Sequence, residues 1–325
     1  MHTLLGLSSL LLVLVGSTLA LRATRRLDHL AQWRELQVLI LAAPVLSLTL
    51  GLGGLAHFIG RACFLAAPQW DYWSGVALPL LMGLMALGGL GLGLVRLALM
   101  TWVLGRRGMP AGPGLQALAD DLSTWLGVPC PRVLVCTYDR PLALTYGLWQ
   151  PTVLLSAWMI QHLDARELEA VVAHELGHVA RRDYLVGWLA TVLRDAFCYL
   201  PTSWVAYRQL QREKELACDE LAVGATQQPL ALASALTKVW QHALAGSRAG
   251  MAQALVGGGD AIEDRIKRLL DGPALVAAPP RARAIVLGVG FAGLVGLIAL
   301  QAVNVAILLA PMGCGPAAPL WRIMG

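Results

Sequence analysis

The chain has 325 residues, of which 57% are hydrophobic and only 14% are charged. That balance excludes an ordinary soluble domain and is typical of a protein with several membrane spans. The formal net charge of +5 would suit a nucleic-acid partner. The arginines, however, cluster beside apolar segments, so membrane orientation explains them better and no direct nucleic-acid contact is expected. The six cysteines form no C-x-x-C pair, which excludes a zinc knuckle and a dense disulfide scaffold.

The N-terminal third predicts membrane insertion. No Lys or Arg precedes the first apolar segment and several arginines follow it, which favours an uncleaved span with its N-terminus outside over a secretory signal peptide. In the third apolar segment, Gly89 and Gly93 form a small-residue pair that would let another helix approach closely. Residues 1–107 therefore predict three transmembrane helices, at about 3–21, 38–59 and 76–95.

Residues 108–280 are more polar and predict a cytoplasmic α+β domain. Three short strands are expected in it, at Arg132–Tyr138, Pro141–Gly147 and Thr152–Leu155. An exposed edge strand of such a sheet would bind an extended peptide by main-chain pairing. The alternative is a purely structural sheet.

The most informative pattern is the segment VVAHELGH. Asp164 and Glu167 form a capping box that predicts the start of its helix, so His174 and His178 project from one face and can reach one metal ion. Zinc suits imidazole nitrogens and needs a third protein ligand and an open position for water. Glu175 can take a proton from that water, as in H-E-x-x-H zinc peptidases. The alternative is a surface helix that carries the motif by chance.

A second acidic cluster lies in a predicted helix, Gln209–Val223. Glu215 is expected to supply the third zinc ligand. Asp219, one turn later on the same face, is expected to accept a hydrogen bond from the far nitrogen of a ligand histidine. A solvated charged helix is the alternative, but it explains Glu215 less well because the residues that follow are apolar. Cys218 is expected to pack in the interior rather than bind metal.

The segment between the two clusters, Tyr184–Leu200, is mostly apolar but contains Arg194 and Asp195. It is short for a span, so we expect a helix packed under the active site or partly embedded at the cytoplasmic face. A further transmembrane span is the alternative. After the domain, residues 284–309 predict the fourth span and 310–325 a short outside tail.

The predicted topology places Cys63 and Cys314 at the outside face, a compartment that permits disulfides. A bond between them is a hypothesis, and two unpaired thiols are the alternative. The Gly246–Gly259 stretch is rich in small residues and is expected to be mobile, as a lid or a self-cleavage loop.

Together these patterns resemble the BlaR/MecR-type family, the membrane zinc metallopeptidases of beta-lactam sensor-transducers. The most specific motifs are HELGHVARRDYL at 174–185 and REKELACDELA at 212–222. The resemblance covers nearly the whole chain and implies a multi-pass α-helical membrane protein with a cytoplasmic α+β gluzincin-type zinc peptidase domain. It implies three zinc ligands, His174, His178 and Glu215, with Glu175 as the catalytic residue. Candidates for contacts with the substrate or transition state are Tyr146, Tyr184 and Arg265.

The resemblance also sets expectations for function. Antibiotic-sensing members carry a penicillin-binding domain after the last span, whereas this chain stops at Gly325, so direct beta-lactam sensing is not expected. The expected protein is a zinc metalloendopeptidase of the bacterial inner membrane, with both termini outside, that cleaves a cytoplasmic transcriptional repressor in a signalling pathway. The alternatives are an HtpX-like quality-control protease and, in another class, a non-catalytic signalling receptor. The lipid bilayer and the protein substrate are the expected partners, and a homodimer is left open.

Overall fold

The computed structural model describes residues 11, 13–22, 38–45, 76–147, 150–245 and 259–271. The predicted fourth span, the C-terminal tail, nearly all of the Gly246–Gly259 stretch and the Cys63–Cys314 pair lie outside these residues. The chain divides into two compact units. We call them the helical unit (Met1–Gly93, Ala190–Gln209 and Ala277–Gly325) and the α+β unit (Leu94–Leu189 and Leu210–Val276).

The described secondary structure is mainly helical. The helices are α1 (Val13–Arg22), α2 (38–45), α3 (Leu78–Arg107), α4 (Pro113–Leu126), α5 (Ala157–His162), α6 (Ala165–Ala180), α7 (Asp183–Ala196), α8 (Pro201–Thr226), α9 (Pro229–Ala245) and α10 (Gly259–Asp271). The strands are β1 (Met109–Pro110), β2 (Arg132–Cys136), β3 (Ala143–Tyr146) and β4 (Thr152–Ser156).

Helix α3 contains a stretch that is long and apolar enough to cross a membrane. This stretch, Leu78–Leu99, has 22 residues and is the one such helix within the described part of the chain. It overlaps the third predicted span at 76–95 and continues four residues beyond it. The first two predicted spans are described only as the shorter helices α1 and α2.

The glycine pair of α3 is used as the sequence predicts, and the helix that approaches it is α7. A Cβ atom added to Gly89 would lie 2.4 Å from the backbone nitrogen of Ala196. A Cβ atom added to Gly93 would lie 2.5 Å from Cγ2 of Val192. Both distances are shorter than any real Cβ contact, so only glycine allows the two helices of the helical unit to lie this close.

The α+β unit is built on a four-stranded sheet in the order β1-β2-β4-β3. The central pair, β2 and β4, is parallel, and the outer strands pair antiparallel to them. All five residues of β4 are buried, whereas β3 lies at an edge. The three predicted strands are thus present, although β2 ends at Cys136 rather than Tyr138 and β3 is shorter than predicted.

One core fills the space between this sheet and helices α4, α5, α6 and α9. Burial of each large aliphatic or aromatic side chain there stabilises the fold by about 1.5–3 kcal/mol. Core residues with almost no exposed surface include Val133, Val153, Leu155, Val172, Leu176 and Leu232.

The start of α6 is fixed by the predicted capping box, which the structure confirms. Asp164 accepts hydrogen bonds from the backbone N–H groups of Arg166 and Glu167, and Glu167 accepts one from the backbone of Asp164. The buried Glu167 carboxylate also accepts from Ser234 at 2.6 Å and from Lys238 at 2.6 Å, which ties α6 to α9. Burial raises the pKa of Glu167, but these hydrogen bonds outweigh it and hold the pKa below its usual value. The helix that carries the H-E-x-x-H motif is therefore anchored at its first turn.

Candidate metal centre

Helix α6 and helix α8 bring the three predicted ligands together. The rings of His174 and His178 are 5.0 Å apart between centroids. Nε2 of His174 lies 3.4 Å from one Glu215 carboxylate oxygen, and Nε2 of His178 lies 3.9 Å from the other. Neighbouring ligand atoms of a tetrahedral zinc ion are about 3.3–3.5 Å apart when the bonds are about 2.0–2.2 Å long. The donor atoms therefore already lie near the spacing that one zinc ion requires.

A close crossing of the two helices makes this spacing possible. A Cβ atom added to Gly177 would lie 3.3 Å from the Cα of Cys218, so glycine lets α8 approach α6 without a side chain between them. Cys218 is completely buried at this crossing, as the sequence interpretation favoured. Burial raises the pKa of its thiol, so the thiolate that would bind a metal ion is disfavoured.

Asp219 lies against the far nitrogen of the first histidine, in the position predicted from the sequence. Its Oδ1 is 2.9 Å from Nδ1 of His174. Arg265, on α10, donates to both Asp219 oxygens at 2.7 Å and lies 3.2 Å from Glu215. The described polar contacts of Arg265 thus orient Asp219 and Glu215, whereas the sequence interpretation had offered Arg265 as a substrate contact.

The second histidine has an equivalent partner that sequence reasoning missed. Oδ2 of Asp183 lies 3.0 Å from Nδ1 of His178 and 3.3 Å from Nε of Arg181. The chain reaches this position because Arg182 adopts a left-handed conformation with φ of 53°, which ends α6 and starts α7. Each histidine therefore meets a carboxylate at Nδ1, and this leaves Nε2 of each free to face Glu215.

His178, Asp183 and Cys218 also lie close enough together to form a second group of potential metal ligands. In this group the thiol is 3.0 Å from Nδ1 of His178 and 3.4 Å from Asp183. We interpret this group as one that orients the His178 ring rather than as a metal site. A protonated thiol is a poor metal ligand, and Asp183 already contacts Nδ1 of His178.

The electrostatics of the site favour a cation between the histidines and Glu215. Burial lowers the pKa of His174, but hydrogen bonds with Asp219 and Glu215 outweigh it and raise the pKa to about 9. Burial likewise raises the pKa of Glu215, but its contacts with His174 hold it far below the usual range. A site that holds a positive charge this strongly also suits a dication.

Glu175 is buried beside the histidines and is held by the edge strand. The Thr145 hydroxyl, on β3, lies 2.8 Å from Oε2 of Glu175 and 3.0 Å from its carbonyl oxygen. This contact was missed in the sequence because the two residues are 30 positions apart and belong to different elements. It joins the strand that could bind a substrate to the predicted catalytic base, Glu175.

The two tyrosines proposed as substrate contacts pack in a small apolar cluster on β2 and β4. Tyr146 is buried, and Tyr184 packs against the same cluster. Burial raises the pKa of both phenols, so both are neutral at physiological pH. Their described contacts are apolar, and a role in substrate binding stays a prediction.

Comparison with known proteins gives this site a family. Residues 136–269 match the family described as BlaR1 peptidase M56. This stretch runs from the end of β2 into α10 and contains every residue of the site described above. The match confirms the family resemblance and the prediction of a peptidase.

Curated relatives point to a related group of proteases. The Streptomyces coelicolor protein named Protease HtpX homolog 1 is 30% identical over 162 residues, which cover 39% of this chain and 53% of the relative. Protease HtpX homologs of Acidiphilium cryptum and Thermococcus kodakarensis are 28% and 27% identical to this chain. Each alignment includes 40% of this chain, and it includes 56% and 57% of the two relatives, respectively. The chain thus spans about half the length of these relatives. Residues 136–269 thus match the BlaR1 peptidase M56 family, and the chain is similar to proteins named HtpX protease homologs.

Proposed function

We propose that this protein is a multi-pass membrane zinc metalloendopeptidase of the gluzincin type that cleaves cytoplasmic proteins. The observation that carries the proposal is the meeting of His174, His178 and Glu215 around one point, with Glu175 beside them. The arginine distribution supports a topology with both termini outside and the peptidase domain in the cytoplasm.

The donor set fits zinc, since two imidazole nitrogens and one carboxylate leave a fourth position for water or substrate. When bound, zinc supplies a Lewis acid that acidifies water and polarises the scissile carbonyl. Glu175 accepts the proton of the attacking water and delivers it to the leaving amine. Asp219 and Asp183 hold the two imidazoles in the tautomer that presents Nε2 to the site.

The position of β3 suggests how a substrate binds. As the edge strand of the sheet, β3 can pair with an extended peptide through its main chain. Thr145 of the same strand contacts Glu175, so a peptide paired with β3 would run past the catalytic base. An endopeptidase acting on extended, unfolded or linker segments follows from this arrangement.

The contact between Thr145 and Glu175 gives a first testable prediction. Thr145→Val keeps the shape of the side chain but removes the hydroxyl that holds the Glu175 carboxylate. We expect kcat to fall about 10-fold, equivalent to about 1.4 kcal/mol and comparable to the net contribution of one hydrogen bond. KM and zinc content should stay near wild type, and Thr145→Ser should restore most of kcat.

The control for this variant is Thr152→Val on β4, whose hydroxyl contacts the backbone of Gln150 rather than the site. Steady-state kinetics with a fluorogenic unfolded protein measure both variants. A Thr145→Val enzyme with unchanged kcat, or one that Thr145→Ser does not rescue, would show that the hydroxyl does not position the acid.

Two substrate classes remain, and each has support. Membership of the domain in the BlaR1 M56 family favours a regulatory protease that cleaves a transcriptional repressor. The HtpX names of the relatives favour membrane-protein quality control equally. A non-catalytic receptor is less consistent with the site, because Glu175 and all three candidate ligands are present and gathered together.

Mapping of new protein N-termini separates the two classes. Cells that express wild type are compared with cells that express Glu175→Ala at equal levels. A repressor protease should yield one or two new cytoplasmic N-termini and a defined set of induced genes. Broad loss of membrane-protein fragments in the variant would favour quality control and reject the repressor, while leaving the zinc chemistry intact.

A further inference from the structure

Helix α7 and the first two turns of α8 form an antiparallel hairpin, which we call the hairpin (Asp183–Tyr207). Two contacts define its pairing: Thr191 with Tyr207 at 3.4 Å between hydroxyl oxygens, and Arg194 over the Trp204 ring at 4.9 Å. Between the helices, Phe197 and Leu200 are buried at the turn. We propose that the hairpin is a re-entrant element, with its outer surface in contact with lipid hydrocarbon and its turn near the middle of the bilayer. The proposal rests on the membrane anchoring of the proposed function, but not on its peptidase chemistry.

The depth of the turn follows from its contact with α3. The span Leu78–Leu99 is about 33 Å long at 1.5 Å per residue, which matches a hydrocarbon core of about 30 Å. Gly89 lies at the middle of this span and packs on the backbone of Ala196, the last residue of α7. The end of α7 therefore lies at the level of the bilayer centre whenever α3 crosses the membrane.

The length of α7 decides between a re-entrant hairpin and a further span. α7 has 14 residues and is about 21 Å long, too short to cross a core of about 30 Å. Val192 packs at Gly93 and Ala196 at Gly89, so α7 runs antiparallel to α3. Because the chain turns back at residues 197–200, the hairpin enters and leaves on the same side.

The exposed surface of the hairpin has the composition that lipid requires. Exposed arginines bracket it at Arg182 and Arg208. A helical hairpin of this length in water would carry charged residues on its outer face. Between the two arginines, however, every exposed side chain is apolar or a thiol: Leu185, Leu189, Cys198, Pro201 and Trp204.

The charged residues inside the hairpin are withdrawn from that surface. Asp183, at its start, is buried against His178. Arg194 and Asp195 have side chains only 13% and 12% exposed, and they form an ion pair at 2.5 Å. The Arg194 guanidinium also stacks on Tyr207, 4.4 Å from the ring centre, and on Trp204. Ionised groups at membrane depth are tolerated when they pair within the protein in this way.

The same apolar character continues on α3, which favours lipid as the occupant. On α3, Leu84 and Leu87 are each 66% exposed and lie within two turns of Gly89, the point of contact with the hairpin. Near the point where the hairpin and the span touch, the exposed surfaces of both are thus apolar. Hydrocarbon suits both surfaces.

Two native cysteines allow a direct test. Cys198 is exposed at the turn of the hairpin, and Cys130 is exposed in the α+β unit. Variants that keep only one of them are labelled with a nitroxide in detergent and reconstituted into phosphatidylcholine vesicles. Collision with oxygen, which concentrates in lipid, and with a water-soluble nickel chelate is then measured by electron paramagnetic resonance.

We expect the Cys198 label to collide mainly with oxygen, at a depth near the bilayer centre, and the Cys130 label to collide mainly with the nickel chelate. A Cys198 label that collides with nickel as readily as the Cys130 label would place the hairpin in water and overturn the proposal. Low collision with both reagents would place Cys198 inside protein and would overturn it too. Loss of the protein from membranes in alkaline carbonate would instead refute the membrane anchoring of the proposed function.

A second variant tests the depth argument through the glycine contact. Gly89→Ala places a methyl group within 2.4 Å of the α7 backbone, which cannot move as a flexible side chain can. Gly88→Ala is the matched control, because a Cβ atom there meets nothing within 4 Å. We expect Gly89→Ala to shift the Cys198 label by several ångströms in depth and Gly88→Ala to leave it unchanged. If the depth of the Cys198 label did not change in Gly89→Ala, Gly89 would not pack against Ala196, and the depth assignment would be wrong.

Discussion

Glu175→Gln is expected to abolish peptide cleavage while zinc stays at about one ion per chain. The substitution keeps the size of the side chain and an oxygen that can accept the hydrogen bond from Thr145, which lies 2.8 Å from the carboxylate. It removes the base that takes the proton of the attacking water. Loss of a general base costs about 10²–10⁴-fold in rate, so activity should fall to the limit of detection or close to it.

The measurement pairs metal analysis of the purified protein with cleavage of a fluorogenic unfolded protein. Glu169→Gln is the control, since Glu169 lies on the same helix but contacts Gln228 rather than a histidine. Zinc content and thermal stability should match wild type in both variants. Cleavage by Glu175→Gln at the wild-type rate would reject the assigned mechanism, whatever the metal content.

The parts of the site that lie on single helices could be predicted from the sequence. Helical periodicity alone places His174 and His178 on one face, and the same rule places Glu215 with Asp219 on another. That the two faces meet was expected from the need for a third zinc ligand and from the resemblance, not from periodicity. The structure adds the physical reason, which is the absence of a side chain at Gly177 where α8 crosses.

The parts that sequence reasoning missed depend on tertiary contacts. Asp183 follows the end of α6, beyond the range of any helical spacing rule, and reaches His178 only because Arg182 turns the chain at positive φ. Thr145 lies on a strand 30 residues before Glu175, and nothing in a short threonine-containing strand distinguishes it. Arg265 was noticed, but its ion pairs with Asp219 and Glu215 could not be foreseen.

In helix α3, too, a local feature could be predicted from the sequence, whereas its tertiary partner could not. The pair Gly89 and Gly93 predicted that a helix would approach α3, and this is confirmed. Which helix approaches was not predictable, because the partner α7 lies about 100 residues later and its charged pair, Arg194 and Asp195, argued against membrane depth. The structure removes that objection by burying the pair against aromatic rings.

Glu215→Ala is expected to reduce bound zinc to a small fraction of one ion per chain and to eliminate cleavage as a result. Glu215 lies 3.4 Å and 3.9 Å from the Nε2 atoms of the two histidines, and it is the acidic side chain on α8 that faces both. Two imidazoles alone do not complete the three-ligand set of a catalytic zinc site. His178→Ala should have the same effect on both zinc and cleavage.

A graded series separates a ligand from a residue that only orients one. Asp219→Asn keeps the ligand set but weakens the hold on His174, so we expect zinc affinity to fall about 10–100-fold, as for other residues behind metal ligands. Glu220→Gln, an exposed change on the same helix, should leave affinity unchanged. Competition with a chromogenic chelator gives the affinities, and circular dichroism checks that each variant is folded. If Glu215→Ala bound zinc with wild-type affinity, a side chain other than Glu215 would have to complete the site. We expect zinc affinity to be lowest in Glu215→Ala, intermediate in Asp219→Asn and unchanged in Glu220→Gln. That order is the one expected for a ligand, a residue that orients a ligand and a residue with no part in the site.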